Sequence, residues 1–262
     1  MNNLKTERIN IWEENCRIRF GAIDRSNCLT LAAVFNFFQE AAISHAENLG
    51  AGRDALACSG RAWILSRMSV EINERPQYGE TVTVCTWPRG GEKLFAFRNY
   101  EIRNSNAVPL IQAKSRWLIM DIEKRRPLRP QAIIDELPLN EGADVSLSGN
   151  NGACALSEKP NLQKTAEHKA LYSDIDYNGH VNNVSYIRWI EDAVDSPLLE
   201  QAARMRLDIN YLSEILPGET AEIWSAQIPG ENAVGEKFFA FEGRKQDGFA
   251  AFRAELRLWQ ER

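Results

Sequence analysis

The amino-acid sequence predicts an α+β protein of two tandem domains, each with an antiparallel sheet wrapped around a central helix. Three observations predict this class. The chain has 262 residues, enough for two domains of about 130 residues each. It contains an internal repeat. In each copy of the repeat, several strand-like segments follow one apolar helix, and such a helix needs a sheet to cover its apolar face.

The internal repeat is found by sliding the sequence along itself. A shift of 152 positions places Gln39-Glu40-Ala41 on Glu191-Asp192-Ala193, and a shift of 139 places Gly79-Glu80-Thr81 on Gly218-Glu219-Thr220. The two shifts differ because the first copy has additional loop residues, around 51–60. Because the matches keep one common order, we expect two copies of one fold.

The first copy predicts one long helix and five strands. Residues 31–49 place Val34, Phe38 and His45 at helical spacing, and Gly50 stands at the position where a helix stops. Since His45 lies on the core-facing side of this helix, packing is its expected role. The expected strands are residues 15–23, 62–74, 81–88, 93–103 and 110–121.

The second copy repeats this design after a long connection. Residues 122–168 are rich in Pro, Asn, Gly and Ser and show no sustained period, which is typical of a linker. The next elements are a helix at 183–194 and strands at 169–173, 205–213, 220–228, 237–244 and 250–259. We therefore expect an N-terminal domain at 1–121, a linker at 122–168 and a C-terminal domain at 169–262.

Composition and charge exclude several classes of protein. The net charge of −5 disfavours a general nucleic-acid binder. The five cysteines form no C-x-x-C pair and the histidines number only three, so we expect no disulfide framework, no metal site and no cofactor. The longest apolar run, Leu31–Phe35, is far shorter than the roughly 20 residues of a membrane span. The polar start Met1–Arg8 predicts no signal peptide, and the cytoplasm is the expected location.

A dense polar run, residues 174–183, stands immediately before the helix of the second copy. A helix start offers unpaired N–H groups and the positive end of the dipole, which suit the oxyanion of ester or thioester hydrolysis. Asp176 and His180 can activate water or attack the carbonyl, and Asn178 can orient either one. Glu214, after the following strand, can hold a water or set the protonation of the histidine.

Structural roles are the alternatives for the same side chains. His180 can simply bond a backbone carbonyl, and Glu214 can be a charge at the end of a strand. Asn182 and Asn183, the expected substrate ligands, are equally suited to cap the helix.

The polar run also carries a resemblance to a known family. Asp176-Tyr177-Asn178-Gly179-His180-Val181-Asn182-Asn183, with Tyr186-Ile187-Arg188-Trp189-Ile190-Glu191 after it, resembles the signature segment of plant and bacterial acyl-ACP thioesterases (ACP, acyl carrier protein). Further similar segments are Phe38-Gln39-Glu40-Ala41-Ala42, Arg116-Trp117 and Tyr211-Leu212-Ser213-Glu214. The resemblance implies a double hot-dog fold and catalytic roles for Asp176, Asn178, His180 and Glu214. Those plant enzymes commonly have a cysteine after the glutamate, whereas this chain has Ile215, so cysteine chemistry is not expected.

The two copies differ at the polar run. Asp24 of the first copy matches the candidate aspartate of the second, but Ser26 and Cys28 replace Asn178 and His180. The first copy thus keeps the fold and loses the polar set. Our hypothesis is that the N-terminal half forms the acyl-chain pocket while the C-terminal half performs the chemistry.

The expected function is release of free fatty acid from acyl-ACP in fatty-acid biosynthesis. Since acyl carrier proteins are acidic, the basic cluster (Lys124-Arg125-Arg126 with Arg129) is a candidate docking patch, although a solvated linker is the alternative. The competing functions are an acyl-CoA thioesterase, a hot-dog dehydratase and a non-catalytic acyl-binding protein. Either a monomer or a homodimer is compatible with the sequence, which does not fix the acyl length.

Overall fold

The computed structural model describes residues 8–138, 140, 144–148, 153–159, 161–228 and 235–260. The first half contains β1 (Trp12–Arg17), α1 (Leu31–Asn48), α2 (Arg53–Ala57), β2 (Arg61–Ile72), β3 (Thr81–Glu92), β4 (Phe95–Arg103) and β5 (Pro109–Asp121). Between the halves lie β6 (Arg126–Leu128) and α3 (Gln131–Ile134). The second half contains β7 (Gln163–Lys169), α4 (Asn183–Asp192), α5 (Ser196–Glu200), β8 (Ala202–Tyr211), β9 (Thr220–Ile228), β10 (Glu236–Lys245) and β11 (Ala250–Gln260).

Within these described ranges, the strands form one antiparallel sheet that runs through both halves. Their order is β1-β3-β4-β5-β2-β8-β11-β10-β9-β7, with β6 added beside β5. The second half therefore mirrors the strand order of the first. This arrangement confirms the predicted α+β class with two tandem copies.

The pairing of β2 with β8 places a pseudo-twofold axis at the centre of the sheet. Ser69 lies directly opposite Asp208, and these two residues are 139 positions apart, which is the shift of the repeat in this region. The pair is joined by a hydrogen bond of 2.5 Å from the Ser69 hydroxyl to the Asp208 carboxylate. Because equivalent residues of the repeat face each other across this axis, a contact from the first half to the second has an equivalent from the second half to the first.

The start of the second half differs from the sequence-based expectation. The strand expected at 169–173 is β7, which ends at Lys169, and a short 3-10 helix follows at Tyr172–Asp174. Most of β7, together with β6 and α3, lies inside the predicted linker. β7 is an edge strand, so its sequence is mainly polar and gives little of the apolar alternation by which a half-buried strand is recognised.

The described part of the connection lies along the outer face of the sheet. Both the N–H and the hydroxyl of Ser148 donate to the Glu71 carboxylate at 2.7 Å, and the Arg206 guanidinium donates to the carbonyl of Ser148. Asn210 accepts from the Leu156 N–H at 2.7 Å and donates to the Cys154 carbonyl at 2.9 Å. Buried polar side chains of β2 and β8 thus hold the connection across the junction of the halves.

The main core lies between the sheet and the two longer helices. Phe38 of α1 contacts Tyr100 of β4 with ring centroids 4.9 Å apart, and Ile187 of α4 is fully buried in the same cluster. His45 is also buried, as expected: its Nε2 lies 2.7 Å from the Ile9 carbonyl, and burial lowers its pKa to about 4. Of the helices in the described ranges, none combines the length and the apolar character needed to cross a membrane.

A substitution at the centre of this core tests the architecture. Phe38→Ala should lower the free energy of unfolding by about 3–5 kcal/mol, because it leaves a cavity between α1 and the sheet. Phe20→Ala, at a position that is 80% exposed, should change it by less than about 0.5 kcal/mol. Urea unfolding of both variants measures the difference, and similar losses in the two would contradict the assigned core.

Candidate active site

A tight loop before α4 brings three of the predicted residues together. The Asp176 N–H donates to the His180 carbonyl at 3.0 Å, and the Gly179 N–H donates to the Asp176 carbonyl at 3.0 Å. Gly179 has a φ of +83°, a left-handed conformation that glycine adopts without strain. This turn folds residues 176–180 back on themselves, so that their side chains share one small region.

Inside the loop, the Asp176 carboxylate is held by Asn178. One carboxylate oxygen accepts from the Asn178 N–H at 2.8 Å, and the other lies 3.3 Å from the Asn178 side-chain nitrogen. The His180 Nδ1 lies 3.4 Å from the Val181 carbonyl oxygen, the backbone contact of the alternative structural role, and 3.9 Å from the Asp176 carboxylate, which is too long for a hydrogen bond. The side chains of Asp176 and His180 are 17% and 24% exposed, so solvent reaches both.

The helix start provides one backbone donor of the kind that the sequence predicts. The Asn182 side chain caps α4 by accepting from the Val184 N–H at 2.9 Å. Asn183 is the first helical residue, and its carbonyl accepts from the Tyr211 hydroxyl at 3.3 Å. In the described part of the chain, the Asn183 N–H has no hydrogen-bond acceptor. The side chain of Asn182 therefore serves the helix, while the backbone of Asn183 is available to a ligand.

Glu214 lies beside this loop but engages a different partner. It follows β8, and the hydrogen bond from the Val181 N–H to the Ile215 carbonyl, 2.9 Å long, holds its segment against the helix start. Its carboxylate, 41% exposed, forms an ion pair with Arg125 rather than with His180. The structure thus brings Asp176, Asn178 and His180 together and places Glu214 at the edge of the same site.

Two arginines from earlier in the sequence contact residues of the site, and the sequence alone does not reveal either contact. Arg125, in the turn between β5 and β6, pairs with Glu214. The Arg53 guanidinium of α2 lies 4.1 Å from the centroid of the Tyr177 ring. Because these contacts join distant parts of the chain, no local spacing could have predicted them.

Tyr186 is a further residue of the site that the sequence analysis did not assign. Burial raises its pKa well above the ordinary range, and the nearby carboxylates of Asp176 and Glu214 add to this effect, while a hydrogen bond from the Ile215 backbone opposes it. The hydroxyl is therefore neutral and close enough to both carboxylates to be influenced by their charge. The sequence does contain a signal for this residue: Tyr186 lies one helical turn after the cap Asn182, and a buried tyrosine hydroxyl normally has a polar partner.

The equivalent loop of the first half has the same backbone and a different charge pattern. The Asp24 N–H donates to the Cys28 carbonyl at 2.9 Å, as Asp176 does to His180. At the position of Glu214, however, the first half has Arg75, which forms a 2.6 Å ion pair with Asp24. Burial opposes ionisation of Asp24, but hydrogen bonds from Ser26, Cys28 and Arg75 hold its pKa below the ordinary value. The first loop is thus closed by its own ion pair.

A half-buried carboxylate occupies the start of α1. Glu191 of α4 accepts from the Leu31 N–H at 2.8 Å and from the Ala32 N–H at 3.4 Å. Burial raises the pKa of Glu191 to about 7; its two hydrogen bonds lower it, and the carboxylates of Asp192 and Asp24 raise it. The helix start of the first half is therefore filled by a protein group.

Comparison with protein families matches both halves of the chain. The family model described as the acyl-ACP thioesterase N-terminal domain matches residues 10–137, and the one described as the acyl-ACP thioesterase C-terminal domain matches residues 157–255. A palmitoyl-acyl carrier protein thioesterase of Cuphea hookeriana is 26% identical over 87% of this chain. An oleoyl-acyl carrier protein thioesterase of Arabidopsis thaliana is 23% identical over 84% of it. The chain spans 57% and 64% of the length of these two relatives, and both are chloroplastic.

Solved structures give the same result for the fold. An acyl-ACP thioesterase from Bacteroides thetaiotaomicron superposes with a TM-score of 0.76 at 25% identity, covering 94% of this chain and 97% of that one. The 12:0-ACP thioesterase from Umbellularia californica has a TM-score of 0.79 at 18% identity, covering 99% and 100%. These likenesses confirm the predicted double hot-dog architecture.

The carboxylate at the start of α1 makes protein stability depend on pH. The folded-state pKa of Glu191 is about 7, above the ordinary 4.5, so the folded chain retains a proton that the unfolded chain has released between these values. Glu191 therefore stabilises the fold less as the pH rises from about 4.5 to 7. Relative to Glu191→Gln, the wild type should lose unfolding free energy between pH 5 and pH 8. Urea unfolding at both pH values measures this, and a difference that does not change with pH would contradict the assignment.

Proposed function

This chain belongs to the acyl-ACP thioesterase family, and we propose that it hydrolyses the thioester of acyl-ACP to release free fatty acid in fatty-acid biosynthesis. The observation that carries the proposal is the arrangement at the start of α4. There, an aspartate, an amide and an imidazole stand beside a backbone N–H that has no acceptor among the described residues. A carboxylate or imidazole can activate water, and the N–H can hold the oxyanion.

Within this proposal the groups have distinct tasks. His180 takes a proton from the attacking water, since both oxygens of Asp176 already lie against Asn178 and the imidazole is the more solvent-accessible group. Asp176 stabilises the imidazolium that forms. The Asn183 N–H donates to the carbonyl oxygen as it becomes negative, an interaction worth about 3 kcal/mol in the transition state. Water adds to the carbonyl carbon, the C–S bond breaks, and the proton passes to the leaving thiolate.

The first half is proposed to hold the acyl chain. Its loop is closed by the Asp24–Arg75 ion pair, and its helix start is filled by Glu191, so it offers no comparable place for a reacting carbonyl. Its helix α1 is apolar and packs on the sheet. The proposed division is acyl binding by the N-terminal domain and chemistry by the C-terminal domain, with β7 included in the latter.

The basic cluster is proposed to dock the carrier protein. Lys124, Arg126 and Arg129 are exposed, and Arg125 of the same turn contacts Glu214 at the edge of the site. A net-negative protein that binds an acidic carrier needs such a local patch. A carrier seated here would present its thioester close to α4.

The proposed setting is the cytoplasm, with the chain acting as a monomer or homodimer. The five cysteines are all unpaired, which supports a reducing compartment. Because one chain supplies both halves of the site, a monomer is sufficient for activity. The edge strands β1 and β7 are the surfaces through which a homodimer would extend the sheet.

Substitutions in the two loops test the catalytic assignment. His180→Ala and Asp176→Ala should each lower kcat for acyl-ACP by at least about 100-fold, the lower range for loss of an acid–base group. Cys28→Ala, at the position equivalent to His180 in the first half, should leave kcat within about twofold. Thiol release measures the rates. Near-normal rates in both second-half variants, with intact folds, would favour a non-catalytic acyl-binding protein.

Charge reversal at the basic cluster tests the carrier. Lys124→Glu with Arg126→Glu should lower kcat/KM for acyl-ACP about tenfold or more at low salt, and less at high salt. Hydrolysis of an uncharged acyl-N-acetylcysteamine thioester should stay unchanged, because no acidic partner docks. Arg17→Glu with Arg19→Glu is the matched control at two other exposed positions. A wild-type preference for acyl-CoA over acyl-ACP at equal concentration would contradict the proposed carrier.

A further inference from the structure

The two longer helices meet so that one reaches the start of the other. Glu191, near the end of α4, places its carboxylate on the first two N–H groups of α1, those of Leu31 and Ala32. This contact crosses between the halves of the chain. It shows which side-chain position of one helix can reach the N-terminus of its partner.

The repeat makes this contact reciprocal. The shift of 152 positions that relates the two loops places Gln39 of α1 on Glu191, and Leu31 on Asn183. The same shift relates the helix caps Thr30 and Asn182, each of which accepts from the N–H of its own helix start. Since the pseudo-twofold axis passes through Ser69 and Asp208, the position of Gln39 is expected to face the start of α4 as Glu191 faces the start of α1.

The chemistry at the two reciprocal positions differs. A carboxylate at the start of α1 accepts the first N–H, whereas the repeat assigns a neutral amide to the start of α4, where the Asn183 N–H has no acceptor among the described residues. Gln39 is half-buried, and among the described residues no hydrogen-bond partner is found for its side chain. An ionised carboxylate here would accept the Asn183 N–H and repel a developing oxyanion, whereas a neutral amide carries no charge to repel it and offers two N–H donors.

We propose that Gln39, contributed by the first half, is a catalytic residue of the second: its side-chain amide donates to the thioester carbonyl oxygen beside the Asn183 N–H. This inference rests on the proposed thioesterase function and adds a donor to it. The N-terminal domain thereby supplies part of the oxyanion site as well as the acyl pocket. The alternative is that Gln39 only packs between the helices.

Reciprocal substitutions separate the two roles. Gln39→Glu should lower kcat for acyl-ACP by at least about 100-fold at pH 8, because the carboxylate would fill the site as Glu191 fills the other. KM should change by less than about threefold, since the donor acts mainly in the transition state. Glu191→Gln, the opposite change at the equivalent position, should keep kcat within about twofold of the wild type.

The pH profile supplies a readout that packing would not move. Relative to the wild type, the rate of Gln39→Glu should recover as the pH falls from 8 to 6, because protonation restores a neutral group. The wild type is measured at each pH as the reference, so that the pH dependence of the reaction itself is divided out. Gln39→Met, similar in size but without a donor, should lose about tenfold or more in kcat with no added pH dependence.

The outcomes distinguish this inference from the function on which it rests. If the wild type turns over acyl-ACP and both Gln39→Glu and Gln39→Met have a kcat within threefold of it, the role of Gln39 is overturned. The thioesterase proposal then still stands. If Gln39→Glu does not fold, as judged by urea unfolding, Gln39→Met decides by the same criterion. Absence of wild-type turnover on acyl-ACP would overturn the proposed function and the inference together.

Discussion

The antiparallel pairing of β2 with β8 is the constraint on which the rest of the structure depends. Its register sets Ser69 against Asp208, joins two five-stranded halves into one sheet and fixes the pseudo-twofold axis. A slip of one residue in either strand would turn its apolar side chains toward the linker and its polar ones toward the core. The same register brings Glu191 of α4 to the start of α1, and the repeat relates this contact to the proposed one of Gln39 at the start of α4, so the core and the candidate site have one geometric origin.

On this symmetric frame, a few substitutions give the two halves opposite properties. In the first half, Arg75 neutralises Asp24 and a half-buried glutamate occupies the helix start. In the second, the equivalent positions hold Glu214 and Gln39, and the negative side chain at the edge of the site is balanced by Arg125 from the adjoining turn. The first loop is thus satisfied internally, while the second retains donors and titratable groups for a ligand. One backbone therefore supports a closed site and an open one.

The sequence predicts the order of the main helices and strands better than it predicts which side chains contact each other. The two longer helices, α1 and α4, and the strand β9 are found close to their expected bounds because their apolar periods are strong. The loop residues Asp176, Asn178 and His180 converge because they are close in sequence and a glycine closes their turn. By contrast, the expected bounds of β7 lie several residues too far along the chain, because the polar sequence of an edge strand hides its start. The pairing of Glu214 with Arg125 was missed because it depends on the tertiary fold.

The most direct measurement is the position of the reacting carbonyl in a crystal structure with a hydrolysis-resistant acyl-pantetheine amide. The account places the carbonyl oxygen within hydrogen-bond distance, about 3 Å, of the Asn183 N–H, with the acyl chain directed into the first half. It would be contradicted by a carbonyl bound at the Asp24 loop, or by one lying away from both Asn183 and His180.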